Sequence, residues 1–321
     1  MSMRAAVVHS FDHPPRYEEH DEPQPTGPDQ ALVDVLAAGL HPRVRSGASG
    51  GHYTSTGTLP MIPGVDGVGR LPDGRPVYFV APDDVWGSMA ERALVDLRRI
   101  VPLPEGVDAL KIAAAMNPTM SSWVALRRRV AIQAGQSVLI LGATGNAGTM
   151  AVQVAKRLGA KRVVGAGRNP ERLAALPAVG ADEVVVLTED SKDTADRLAA
   201  AAAEVDIVID FLWGEPAASA MMSLLRGRAD RSRAMEWIQL GSVAGPTIEL
   251  ASVVLRSANL RIQGSGQGAV STQAYIAELA ALVEEIEAGT VSVNVRPVPL
   301  AHVEAIWQSP EPAGQRTVLI P

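Results

Sequence analysis

The sequence predicts an α/β fold in two parts, a β-rich first third followed by a doubly wound parallel sheet. Three observations predict it. A strand, a glycine turn and a helix follow one another over residues 138–159. Strand and helix patterns then alternate to about residue 264. Before residue 107 the chain holds short apolar runs punctuated by Gly and Pro, and no long helical pattern.

In the first part, residues 4–8 and 31–38 read as strands joined by a link containing Pro23, Pro25 and Pro28. Further strands are expected at 67–70, 76–80 and 93–95. Residues 46–60 are mostly Gly, Ser and Thr without periodicity. A loop of that length is expected to act as a lid, and it carries His52 and Tyr53. From Val107 the pattern turns helical, with helices expected at 108–116 and 121–130, broken at Asn117-Pro118.

Val138 to Leu141 is an apolar run bounded by turn residues, the mark of a buried strand. Gly142, Gly145 and Gly148 follow, and Ala147, Ala151, Val154, Ala155 and Leu158 fall at helical spacing until Gly159 stops the helix. Further strands are expected at 162–164, 183–187, 205–210, 236–240 and 260–263. The helices between them begin near Pro170, Ser191, Glu215 and Pro246, with Asn169-Pro170 supplying an N-cap and an N1 proline. Arg226, Arg228, Arg231 and Arg233 read as a solvated loop. Ile276, Leu279, Ala280, Val283 and Ile286 then form one face of a helix ended by Gly289. The tail returns to β character at 292–298 and 316–320.

The chain has 321 residues, enough for two domains. Its net charge of −6 and lack of a basic face argue against nucleic acid as a partner. No apolar run is long enough to cross a membrane, and the N-terminus lacks a secretory apolar core, so a cytoplasmic protein is expected. There is no cysteine. Disulfides, thiolate nucleophiles and thiolate-ligated metals are therefore excluded.

The glycine turn carries the first functional signal. Residues without a Cβ let the backbone approach a pyrophosphate, and the helix N-terminus offers N–H groups and a positive dipole end. The spacing reads Ala143-x-Gly145-x-x-Gly148, one glycine short of the dinucleotide pattern G-x-G-x-x-G, and no Gly-Lys-Ser/Thr follows to make a P-loop. Gly142, Thr144, Gly145, Asn146, Ala147 and Gly148 are thus expected to bind a dinucleotide. An acid about 20 residues further on would select NAD through the ribose 2′-OH. No acid occurs from Lys161 to Pro170. Gly165 and Gly167 leave room for a 2′-phosphate there, and Arg168 can pair with it, so NADPH is the expected cofactor. Phe211, Leu212, Gly241 and Ser242 follow the C-terminal ends of parallel strands, where ligands bind in such sheets. Ser242 also reads as a simple cap.

With these residues named, the chain resembles the medium-chain dehydrogenase/reductase superfamily, in its zinc-free quinone oxidoreductase branch. The resemblance rests on Gly39-Leu-His-Pro42, Arg45-Ser-Gly47, Pro63-Gly-Val-Asp-Gly-Val-Gly69, the stretches 113–126 and 138–160, and the closing Val318-Leu-Ile. It implies a GroES-like catalytic domain, residues 1–120 and 289–321, and a Rossmann domain, residues 121–288, with an active-site cleft between them. Zinc-dependent members carry an early Cys, a Gly-His-Glu motif and often a four-Cys lobe. Here Gly64-Val65-Asp66 stands for Gly-His-Glu, a later ligand position falls at Asn117, and the lobe is reduced to Leu71-Pro-Asp-Gly74. His41 and Asp66 alone make a poor zinc site, so no metal is expected. The resemblance also implies a homodimer, pairing near residues 260–263.

Hydride transfer asks the protein to position the acceptor and stabilise charge on its oxygen. Without zinc, hydrogen-bond donors must do this. Tyr53, His41 and Asn117 are the catalytic candidates, and Ser121 is expected with Asn117 at the nicotinamide. Tyr53 reads equally as a proton donor or as a lid aromatic. His41 reads as a catalytic group or as a residue that shapes the cleft. The expected activity is NADPH-dependent reduction of a quinone or an α,β-unsaturated carbonyl compound. The alternatives are a carbonyl or imine reductase on the same scaffold, or a non-catalytic NADPH-binding sensor. RNA binding, which the resemblance allows, is disfavoured by the acidic balance.

Overall fold

A computed structural model describes the chain from Met1 to Pro321 apart from Gln267 and Ala313. In chain order the elements are β1 (Ser2–Val7), β2 (Arg16–Asp21), β3 (Gln30–Gly39), α1 (Pro42–Ala48), β4 (Asp66–Arg70), β5 (Pro76–Val80), β6 (Arg92–Asp96), β7 (Ile100–Pro102) and α2 (Ala109–Val124). There follow β8 (Ser137–Leu141), α3 (Asn146–Arg157), β9 (Arg162–Gly167), α4 (Pro170–Ala175), β10 (Glu183–Val186), α5 (Ser191–Ala202), β11 (Ile207–Asp210) and α6 (Gly214–Gly227). The last are β12 (Met235–Gln239), α7 (Ser252–Arg256), β13 (Leu260–Gly264), α8 (Thr272–Glu287), β14 (Asn294–Pro299), α9 (Val303–Ile306) and β15 (Gln315–Ile320).

The chain divides into two compact units, Met1–Asn117 with Thr272–Pro321, and Pro118–Ser271. These divisions fall a few residues before 120/121 and 17 residues before 288/289, because α8 packs on β7 of the first unit.

In the first unit a seven-stranded sheet runs β14-β15-β3-β4-β5-β7, with β6 added to β3, and β1 and β2 form a separate antiparallel pair. Alternate residues of β3 and its neighbours bury Val33, Val35, Val77, Phe79, Ala93 and Val95 in one cluster. A second cluster joins Leu40, Val44, Met61, Met89, Leu300 and Leu319, and so fixes α1 to the end of β3. Strands β2 and β7 and the short helix α1 add to the elements expected from sequence. Residues 46–48 belong to α1, which shortens the lid-like loop.

The second unit is a six-stranded, all-parallel sheet in the order β10-β9-β8-β11-β12-β13. Its strands are nearly continuous apolar runs because helices cover both faces. Leu139, Val164, Val208 and Trp237 pack there with Leu198 of α5 and Met221 and Leu224 of α6. Consecutive strands lie to opposite sides of β8, so the order reverses between β8 and β11. That reversal opens a crevice at the C-terminal ends of these two strands.

Three sequence expectations are corrected. The helix does not break at Asn117-Pro118, since α2 runs through Pro118 and then widens into a π-turn at Ala125–Arg129. A mid-helix proline costs about 3 kcal/mol. Burial of Met116, Met120, Trp123 and Leu126 on this helix, at about 1.5–3 kcal/mol for each large side chain, outweighs it. The helix expected near Pro246 starts only at Ser252. Arg228 is not solvated. It is buried, and its guanidinium donates to the carbonyls of Ala203, Val205, Arg233 and Ala234.

Candidate functional site

At the crevice in the parallel sheet, the turn after β8 is built by glycines with different tasks. Gly142 has φ +86°, a conformation that L side chains rarely adopt, and its backbone N–H reaches Ala166 O at 2.9 Å. A Cβ on Gly142 would lie 3.2 Å from Phe211 and Leu212. Gly148, in the first turn of α3, backs onto the turn so closely that a Cβ would sit 2.2 Å from Gly142 O and 2.6 Å from Ala143 Cα. Gly145 caps α3 with extended backbone and is exposed. A Cβ there would meet only Gly142 O, at 3.6 Å. The N–H groups of Ala147 and Gly148 lie in the first turn and have no intrahelical acceptor. Thr144 and Asn146 flank Gly145 in this turn.

Gly165 and Gly167 have a packing role. A Cβ on Gly165 would strike Leu176 at 2.8 Å, and one on Gly167 would strike Thr144 at 2.6 Å. Arg168 follows directly, exposed and without a hydrogen bond or ion pair among the described residues. Asn169 caps α4 through Arg172 N at 2.9 Å. Arg172, not singled out in the sequence, donates from its guanidinium to Thr144 O at 3.2 Å and ties α4 to the glycine turn.

Across the crevice, Phe211 N–H donates to Leu141 O at 3.1 Å and joins β11 to β8 beyond the strand ends. The residue that organises this side is Asp210, which the sequence reading passed over. It is fully buried at the end of β11. One carboxylate oxygen accepts from the N–H groups of Leu212 (2.8 Å) and Trp213 (3.0 Å), and the other from Trp237 Nε1 (3.0 Å). Burial, the largest influence, raises its pKa, while the three donors act to lower it. Trp213 is held at φ +52°, a conformation that costs on the order of 1–3 kcal/mol. Gly241 must be small because a Cβ would come 2.8 Å from Phe211 O, and Ser242 beside it is exposed.

The first unit holds a second group of polar residues. His41, at the N-cap of α1, and Asp66, at the start of β4, are both buried, and His41 Nε2 lies 3.1 Å from Asp66 Oδ1. Tyr78 of β5 is fully buried and donates its hydroxyl to Asp66 Oδ2 at 2.6 Å. Ser88 Oγ donates to the backbone carbonyl of Asp66 at 2.5 Å. Strand pairing places Asp66 opposite Val80, which keeps Tyr78 on the same face two residues away. Burial lowers the His41 pKa most; Asp66 pulls it up, Arg316 and Arg43 push it down, and the net position is below the ordinary histidine value. Tyr275 of α8 has its pKa raised, mainly by burial, with Asp66 and Tyr53 among its charged neighbours. Tyr53 itself is 72% exposed, its ring 4.4 Å from that of His52.

Asn117 and Ser121 lie at i and i+4 of α2, on one face of an unbroken helix. Both are half-buried, while every other residue from Ile112 to Leu126 is buried. The proline break expected from sequence would have separated them.

His41 Nε2 and both oxygens of Asp66 are engaged with one another and with Tyr78. No group of three His, Cys, Asp or Glu that suits a metal occurs among the described residues. No helix among the described residues is long and apolar enough to cross a membrane.

Comparison with known proteins agrees with this architecture. A family model described as zinc-binding dehydrogenase matches residues 147–285. A protein of Emericella nidulans, named a probable NADPH-dependent quinone reductase, is 30% identical over 99% of this chain and 100% of its own. A quinone oxidoreductase of Pongo abelii is 34% identical over 57% of this chain and 58% of its own. The solved quinone oxidoreductase of Thermus thermophilus, reported also as a complex with NADPH, has a TM-score of 0.79 at 26% identity, covering 99% of this chain and 100% of that one. The first unit is thus GroES-like and the second Rossmann-type. The chain belongs to the medium-chain dehydrogenase/reductase superfamily, in its quinone oxidoreductase branch.

Proposed function

We propose that this chain is an NADPH-dependent reductase that delivers hydride to a quinone or an α,β-unsaturated carbonyl compound without a metal. The observation that carries the reading is the turn at Gly142–Gly148, where a side chain at Gly148 would strike backbone and Gly145 is left open at a helix N-terminus. That is the shape and polarity a pyrophosphate requires. The names of the relatives support the cofactor, and one of them is an NADPH-dependent alkenal/one oxidoreductase of Arabidopsis thaliana. Arg168, exposed and uncommitted, is the group assigned to the 2′-phosphate, and Arg172 supports the turn beneath it.

In this reading Gly142, Thr144, Gly145, Asn146, Ala147 and Gly148 hold the pyrophosphate, Gly167 and Arg168 flank the adenosine ribose, and Phe211, Leu212, Gly241 and Ser242 line the far wall. Bound NADPH supplies the hydride. Asn117 and Ser121 orient the nicotinamide end. His41 and Tyr53 supply hydrogen bonds to the acceptor's oxygen, the work that zinc performs elsewhere in the superfamily. The engagement of His41 with Asp66, and of Asp66 with Tyr78, supports the metal-free part of the reading. Pairing of two copies through the outer edge of β13, the last strand of the parallel sheet, belongs to the same proposal, and sedimentation measures it.

The test is NADPH oxidation by purified protein against a panel of quinones, enones, simple ketones and imines. Turnover with quinones or enones above the others is expected. Turnover confined to ketones or imines moves the chain to carbonyl or imine reduction, and NADPH binding without turnover makes it a sensor.

A further inference from the structure

The buried group around Asp66 is more specific than a pair of polar residues, and this inference rests on the reductase reading above. His41 is 2% exposed and Asp66 3%. With Asp66 ionised, His41 Nε2 carries the hydrogen that faces Oδ1 at 3.1 Å. The other nitrogen, Nδ1, is buried and has no hydrogen-bond partner among the described residues. A histidine with one nitrogen fixed by a carboxylate and the other left unmatched is arranged for proton exchange at the unmatched nitrogen. The carboxylate is itself fixed, since Tyr78 donates to its second oxygen at 2.6 Å and Ser88 holds its backbone.

We propose that Asp66, held by Tyr78, is a positioning residue that fixes the His41 ring so that Nδ1 donates a proton to the acceptor's oxygen. One proton and two electrons reach the acceptor together as hydride from the reduced dinucleotide, leaving negative charge on the acceptor's oxygen. The Nδ1–H bond of imidazolium His41 then breaks and an O–H bond forms. His41 is left as the neutral Nε2–H tautomer and regains its proton from water. Asp66 stays a carboxylate throughout, and its charge offsets that of the imidazolium.

The charged and titratable groups around His41 and Asp66 come from five elements. Arg43 on α1 and Arg316 on β15 oppose the imidazolium, Asp66 on β4 favours it, and Tyr78 on β5 acts through Asp66. Tyr275 on α8 faces Asp66 and Tyr78. The donor form is imidazolium, so kcat falls as pH rises through the pKa of His41. Removal of the Asp66 charge lowers that midpoint. Removal of the Tyr78 hydroxyl takes away the donor on the second carboxylate oxygen, leaves more of the Asp66 charge to face His41, and raises it. Opposite shifts from two neighbours are a signature that a purely structural role would not give.

The experiment pairs kinetics with nitrogen NMR of ¹⁵N-histidine-labelled protein, the His41 signals being identified by their loss in His41→Gln. In the wild type above the midpoint, Nε2 is expected as the protonated nitrogen and Nδ1 as the bare one. Asp66→Asn is expected to lower kcat at pH 7 by roughly 10²-fold with KM for NADPH within about twofold, and to move the midpoint of kcat to lower pH. Tyr78→Phe is expected to move it to higher pH. A His41 protonated at Nδ1 and bare at Nε2 in the wild type overturns the proposal, as does an unchanged pH profile in both variants. Should Asp66→Asn fail to fold, Tyr78→Phe and the wild-type spectrum decide. Failure of the wild type to reduce any quinone or enone counts against the reductase reading, whereas the tautomer of His41 tests the positioning by Asp66 alone.

Discussion

Two alanine substitutions in the glycine turn separate fold from function. In Gly148→Ala the new Cβ would stand 2.2 Å from Gly142 O, 2.6 Å from Ala143 Cα and 2.9 Å from Ala143 C, where ordinary contact begins at 3.4 Å. All three are backbone atoms, so no side chain can rotate out of the way. Helix α3 must move off the turn by about 1 Å, and overpacking of that kind costs on the order of 1–3 kcal/mol or more. The upper end is expected, because the turn is also pinned by bonds from Gly142 N and Ala143 N to Ala166 O, both 2.9 Å. In Gly145→Ala the only neighbour is Gly142 O at 3.6 Å, and φ is −79°. The gain from a stiffer unfolded chain, about 0.4–1 kcal/mol, offsets the poorer cap. Its methyl would nevertheless stand at the proposed pyrophosphate site, and NADPH binding is expected to weaken at least tenfold, about 1.4 kcal/mol. Urea unfolding followed by circular dichroism, together with fluorescence titration of NADPH, measures both. A Gly148→Ala protein within about 0.5 kcal/mol of wild type, the range of an ordinary surface change, would refute the packing argument. Wild-type NADPH affinity in Gly145→Ala would refute the placement of the ligand.

Arg168→Ala is expected to raise KM for NADPH about 10- to 100-fold, the worth of a charge-assisted hydrogen bond, and to leave KM for NADH within about twofold. Arg172→Ala removes the bond to Thr144 O and should weaken both dinucleotides together; equal effects of the two variants on both cofactors would cancel the assignment of Arg168. Asp210→Ala leaves the buried N–H groups of Leu212 and Trp213 and Nε1 of Trp237 without their acceptor, and should destabilise the protein by about 3 kcal/mol or more in urea. Asp210→Asn keeps an acceptor for the two backbone groups and should recover part of that loss.

The parallel sheet was legible because its strands are apolar runs at regular spacing, and every strand from β8 to β13 was expected within a few residues. The glycine turn was legible because close backbone approach tolerates only glycine. What sequence did not disclose depends on pairings between distant residues. Pro118 ends a helix by local rules, yet the buried side chains around it carry α2 through, and this places Asn117 and Ser121 on one face. Arg228 sits in a run of arginines that reads as solvated, but four carbonyls surround it in the fold. Asp210 closes an apolar strand and reads as an ordinary strand end; its three donors come from the next loop and from β12. Tyr78 lay inside an expected strand and gave no sign that its hydroxyl meets Asp66.

The claim most open to direct test is that hydride transfer here needs NADPH and hydrogen-bond donors but no metal. The measurement is the rate of NADPH oxidation with a quinone before and after exhaustive dialysis of the protein against a strong chelator, with the residual metal determined. An unchanged rate in metal-free protein, and no gain on adding zinc, is predicted. Activity that disappears with the metal and returns with zinc would contradict the account.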